Sequence, residues 1–146
     1  MPAVVDSGAS WHLEAVVGRG STFQNSWGNA GFVDFIGSER ELARGLSWSP
    51  MASVGAVEGS KIFGDRDKTV WFAGGGARLN VWRGFFASFE IGAVSAQTPV
   101  FSSTYQFATS VGWRWEHLVL TARHISNGGL KDPNYGETMY MVGVSF

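Results

Sequence analysis

Leu118-Val119-Leu120-Thr121-Ala122-Arg123-His124-Ile125-Ser126-Asn127, near the C-terminal end of the chain, carries both an architectural and a chemical signal. Side chains alternate between the two faces of a strand, so Leu118, Leu120, Ala122, His124 and Ser126 share one side, while Val119, Thr121, Arg123, Ile125 and Asn127 share the other. An apolar face that ends in a histidine and a serine two residues apart is unusual, because most strands place such groups on a wet side. Gly128-Gly129-Leu130-Lys131-Asp132-Pro133-Asn134 follows, rich in glycine and backbone donors. A hydroxyl, an imidazole on the same face and a donor-rich loop are the components of a serine hydrolase.

Working outward, the same period of two recurs along the chain. Just upstream, Tyr105, Phe107, Thr109, Val111, Trp113 and Trp115 oppose Thr104, Gln106, Ala108, Ser110, Gly112 and Arg114, with a tight turn at Trp115-Glu116-His117. Before it, Phe85–Ala93 and Trp71–Val81 alternate around a short turn at Arg83-Gly84. Further strands are expected at Trp11–Val17, at Gly31–Ile36, and from Ala43 to Val57 with an interruption at Pro50. A last one is expected from Thr138 to Phe146. Loops are expected at Gly20–Gly28, Glu58–Lys68 and Ala96–Ser103. Eight strands joined as neighbours predict an all-β, eight-stranded antiparallel up-and-down barrel, one domain over residues 1–146.

Composition decides which face of that barrel points outward. Charged residues make up only 16% of the chain and aromatics 14%, so much apolar surface must be placed. Arg78, Glu90, Gln106, Arg114 and Arg123 fall on the second face of their strands, and the glycines among them leave room in a narrow lumen. The opposite face is nearly uncharged, with tryptophan and tyrosine toward strand ends, and strands of about ten residues match a bilayer crossing. These features predict a transmembrane barrel with a polar interior. A soluble lipid-binding barrel with its apolar face inward is the alternative.

A net charge of −1 supplies no basic field for nucleic acid. The absence of cysteine excludes disulfides and thiolate metal sites. Met1 to Val5 shows no charged segment followed by an apolar one, which is the form expected of an exported protein whose signal has been removed.

The segment Arg123 to Asn134, followed by Gly136 and a short final strand ending at Phe146, resembles the outer-membrane lipid A 3-O-deacylases called PagL, whose pattern is His-x-Ser-Asn, a glycine-containing loop and Pro-Asn-x-Gly. The resemblance implies hydrolysis of the ester-linked acyl chain at position 3 of lipid A in the bacterial outer membrane, without metal or organic cofactor. It makes Ser126 the nucleophile and His124 the general base. Asn134 and Gly129 match the positions that supply oxyanion-hole donors, and Asn127 matches the asparagine that shapes the loop. Lipid A and membrane lipids are the expected partners, and a homodimer stays open.

One position departs from the family pattern. The acid that orients the histidine should fall two residues after the glycine of Pro-Asn-x-Gly, and here Thr138 stands there. Glu137 is the favoured substitute, although its parity with Met139 and Met141 turns it away from His124 unless a bulge near Gly136 re-aims it. Asp132 on the loop is the other candidate, and loss of the acid is the third outcome. The plainer reading of His124 and Ser126 is a polar pair at a strand end near the headgroups, in a non-catalytic barrel. Asp65 to Lys68 reads as a solvated tip, the three histidines offer no zinc spacing, and Gly74-Gly75-Gly76 lacks the lysine and helix of a phosphate loop.

Overall fold

The computed structural model describes residues 11–21, 27–58, 69–95, 104–127 and 137–146. Within them the alternation becomes nine strands: β1 (His12–Ser21), β2 (Trp27–Ile36), β3 (Arg40–Ala43), β4 (Leu46–Glu58), β5 (Thr69–Asn80), β6 (Phe85–Val94), β7 (Tyr105–Trp115), β8 (Leu118–Ser126) and β9 (Glu137–Ser145). From β4 to β9 each strand pairs antiparallel with its neighbour in the chain, and β1 pairs both β2 and β9. Pairing of β2 with β4 closes the cylinder. β3 lies in line with β2 along the same edge of β4, so the wall has eight staves.

Proline explains why that one stave is split. The sequence predicts a break within the third strand at Pro50, yet β4 runs unbroken through it, with Pro50 opposite Ala77 of β5. A residue of an antiparallel strand sends its N–H and C=O toward the same neighbour. The Pro50 carbonyl accepts from Gly37 N–H at 2.8 Å, so the missing proline N–H falls on that side too. The ladder therefore lapses between Ile36 and Arg40, and the interruption appears in the partner strand. β1 and β2 also extend beyond their predicted ends, to the pairs Gly20↔Gly28 and Ser21↔Trp27. Pairing across the strands overrides the loop preference of that glycine-rich sequence.

The orientation is the one a bilayer demands. Val17, Val33, Phe35, Val54, Trp71, Phe89, Ile91, Val111, Leu120 and Val142 are all exposed on the outer wall. Glu14, Asp34, Ser53, Arg78, Glu90, Gln106, Ser110 and Arg123 are buried inside it. The large apolar residues of the outer wall are thus not turned inward, as the soluble alternative requires of them, although apolar side chains such as Val16, Phe32, Phe72 and Ile125 also fill part of the interior. Aromatics cluster toward both ends of the outer wall, with Trp11, Trp82, Phe85, Trp115 and Phe146 at one and Trp71 and Tyr105 at the other.

Among the described residues, two ion pairs with bidentate hydrogen bonds span the lumen. Arg123 on β8 grips Asp34 on β2 through Nη2 to Oδ2 at 2.7 Å and Nη1 to Oδ1 at 3.2 Å, while its Nε donates to Ser110. Arg78 on β5 binds Glu14 on β1 with two bonds of 2.7 and 2.9 Å and lies over the ring of Phe86. Ser53 lies within bonding distance of both Asp34 and Glu90, and His12 sits between Arg114 and Glu14. The lumenal arginines are those expected from sequence. The acids that pair with them are Glu14 and Asp34, from the first two strands, rather than Glu90. Small residues make room for this packing, and at Gly76 a Cβ would run into the backbone carbonyl of Phe89.

The two ends of the cylinder differ. At one, the strands are joined by Arg44-Gly45, by residues 81–84 and by Glu116-His117, with Gly45, Arg83, Gly84 and Glu116 in positive φ. The four connections at the other end span residues 22–26, 59–68, 95–104 and 127–136 and are longer, the asymmetry of an outer-membrane barrel.

Candidate active site

His124 and Ser126 lie in the last turn of alternation on β8, at the end of the cylinder that carries the longer connections. Both share the outer wall with Leu118 and Leu120, which are 37% and 43% exposed. His124 is exposed and Ser126 half-buried. Across the ladders, His124 stands opposite Thr109 on β7 and Thr138 on β9, and Ser126 stands opposite Phe107. The Phe107 ring stacks on that of Phe89, 5.8 Å away, so the serine has an apolar flank.

One hydrogen bond fixes the imidazole: Nδ1 of His124 and Oγ1 of Thr138 are 2.9 Å apart. Residues two apart on one strand face are about 7 Å apart at Cα, within reach of each other's side chains. Among the described residues no hydrogen bond yet joins Ser126 to His124. Resting sites commonly show such a gap, which closes on binding substrate.

Glu137 corrects an expectation. A bulge was needed to swing it toward His124, but β9 is in regular register from Glu137 onward, with Ile125↔Glu137 followed by His124↔Thr138. Its side chain therefore points into the barrel, 2% exposed, where its Oε2 has no hydrogen-bond partner. A Cβ on Gly20 would press against that carboxyl, so this glycine makes space for it. Asn127 is buried directly after the serine. Gly129, Asp132 and Asn134 lie outside the described residues.

The other histidines serve the scaffold. His12 belongs to the lumenal network, and His117 donates from Nδ1 to the carbonyl of Ser145 at the end with the short turns. No cluster of three metal-binding side chains occurs among the described residues.

Below the His–Ser pair the outer wall is dented. A groove of about 520 Å³ runs beside Ala122 and Tyr140 and down past Val111, Leu120 and Trp113. On the outer face, the small side chain of Ala122 leaves this space between Val111, Trp113, Leu120 and Tyr140.

Across residues 6–146 the chain matches the family model for lipid A 3-O-deacylase (PagL). The chain belongs to the PagL family. Membership carries the substrate, lipid A, and the reaction, removal of an acyl chain at its 3-O position. The fold agrees: the crystal structure of the outer membrane enzyme PagL superposes with a TM-score of 0.59 at 18% identity, over 94% of this chain and 99% of that one. No curated protein matches the sequence. Of the residues that match the PagL pattern, the structure brings His124 and Ser126 onto one outer wall; it turns Glu137, the substitute for the missing acid, away from them. The partner that His124 does have, Thr138, stands where sequence reasoning looked for an acid and passed over a hydroxyl.

Proposed function

We propose that this barrel sits in the outer membrane and cleaves the 3-O-acyl ester of lipid A through a covalent acyl-Ser126 intermediate, with His124 as base. The observation that carries the reading is the placement of a histidine and a serine on an otherwise apolar wall, beside a lipid-sized groove. In a barrel without such a function, that wall would gain nothing from two polar groups at the depth where acyl chains meet headgroups.

The chemistry follows from the residues. A serine hydroxyl is a weak nucleophile until a base accepts its proton. With Nδ1 of His124 held by Thr138, Nε2 is the nitrogen left to take that proton as Oγ of Ser126 bonds to the ester carbonyl carbon. The tetrahedral oxyanion is held by donors assigned to Gly129 and Asn134, each worth about 3–4 kcal/mol in comparable hydrolases. Asn127, directly after the serine, is buried. Collapse breaks the bond to the sugar oxygen, which leaves as an alcohol with the proton from the imidazolium. Water then attacks the acyl-serine, giving its proton to His124, and the free fatty acid departs with Ser126 restored. All of these bonds exchange without a metal or redox partner.

Substrate position follows from the wall. The acyl chain stays among neighbouring membrane lipids, running down the groove past Ala122 and Val111, while the sugar remains level with the longer connections.

The test is direct. Lipid A incubated with the refolded protein in detergent micelles should lose one acyl chain, read by mass spectrometry. Folded protein, judged by heat-dependent gel mobility, that released no fatty acid would overturn the reading in favour of a non-catalytic barrel.

A further inference from the structure

We propose that Thr138 takes the place of a carboxylate as the residue that positions His124, its hydroxyl accepting a hydrogen bond from Nδ1–H so that Nε2 is left unprotonated to serve Ser126. The proposal rests on the assignment of His124 as the general base.

Three observations support it independently of one another. The register of β8 and β9 sets Thr138 directly opposite His124, and its Oγ1 lies 2.9 Å from Nδ1. Directly opposed side chains in an antiparallel pair have Cβ atoms about 5 Å apart, so this contact is built into the ladder itself. Next, no Asp or Glu among the described residues lies on the outer face of β7, β8 or β9, and the Glu137 carboxyl is sealed inside. Finally, threonine suits the role physically. Its branched Cβ restricts χ1, which holds the hydroxyl in place at little entropic cost, and a hydroxyl accepts as readily as it donates.

The tautomer is the point at issue. Which imidazole nitrogen carries the proton is set by the hydrogen bond that the other nitrogen makes. If Thr138 accepts, the proton sits on Nδ1 and Nε2 is a base. If Thr138 donates, the proton sits on Nε2 and the ring cannot accept one from Ser126. A neutral partner also differs from a carboxylate in consequence: it orients the ring and selects the tautomer, but it lends no negative charge to the imidazolium formed during attack. This enzyme then runs with orientation and without charge compensation.

The experiment compares wild type, Thr138→Val, Thr138→Ser and Asp132→Asn, all refolded in the same detergent, by steady-state release of fatty acid from lipid A and by the nitrogen NMR signals of His124. Valine keeps the shape and removes the hydroxyl. It should lower kcat by roughly five- to tenfold, the equivalent of one ordinary hydrogen bond, and leave KM within about twofold. Serine should restore kcat to within about threefold of wild type, as expected if the hydroxyl itself is what counts. In wild type the ring should carry its proton on Nδ1, and in Thr138→Val that preference should be lost. Unchanged kcat in Thr138→Val would overturn the proposal, as would loss of activity in Asp132→Asn alone or a wild-type ring protonated on Nε2. Wild-type protein that hydrolysed nothing would instead defeat the hydrolase reading, while the NMR spectrum would still decide what Thr138 does.

Discussion

Arg123 and His124 are adjacent on β8, yet they belong to different problems. Arg123 points inward, is 1% exposed, and is bonded to Asp34 and Ser110. His124 points outward into the lipid-facing wall and is held by a single hydroxyl. An unpaired ion in the lumen is expensive, and Arg78 and Arg123 there are each gripped by two or more bonds. The outer wall keeps a histidine under-coordinated, and an under-coordinated base is one that can still accept a proton. One step along a strand separates a structural cation from a chemical base.

The sharpest way to break this contrast is Ser126→Ala. Release of fatty acid should fall by at least about a thousandfold, as when other serine nucleophiles are removed, with the folded band on a heat-dependent gel unchanged. Stability loss with activity loss would mean that the outer pair belongs to the scaffold after all. The inner face should behave in the opposite manner. Asp34→Ala strands the Arg123 guanidinium and should lower unfolding free energy by about 3–5 kcal/mol, measured by urea titration in detergent. Molecules that remain folded should keep their turnover. The double variant Asp34→Leu with Arg123→Met, which replaces the pair by apolar groups, should recover most of that stability.

Two smaller effects sharpen the boundary between the faces. Ala122→Trp fills the groove beside the pair and should raise KM for lipid A by roughly fivefold, about the value of a lost apolar contact, with kcat for a short water-soluble ester unaffected. Glu137→Gln should leave fatty acid release within about twofold of wild type, since a regular strand keeps that carboxyl inside and the exchange retains its shape. A large loss in Glu137→Gln would show the inner face taking part in the reaction and would dissolve the distinction.

Much of the barrel is legible in the sequence because a period of two needs no tertiary information. Strands such as β7 and β8, with bulky aliphatic and aromatic residues on one face and Arg, Gln, Ser or Gly on the other, declare both their identity and their orientation. Glycine-rich β1 and β2 declare less. Gly20 and Gly28 read as loop, and only their pairing with each other, and of Gly20 with β9, makes them sheet. The lumenal partners Glu14 and Asp34 are hidden for a related reason, since an ion pair between β1 and β5 or β2 and β8 is visible only once the sheet has closed. Pro50 reads correctly as a disruption, but which strand shows the gap depends on where its carbonyl points. At the site, parity alone says that Glu137 faces inward. The partner of His124 needs the register of β9, which places Thr138 opposite it.

Closed sheets owe much of their resistance to aggregation to having no free edge, and among the described residues the break between Ile36 and Arg40 is the nearest approach to one. Heat or harsh detergent should begin to fray the wall at that missing rung, beside the short turns. The enzyme would then start to come apart at its far pole while the hydrolytic pair, at the opposite pole, still had intact neighbours.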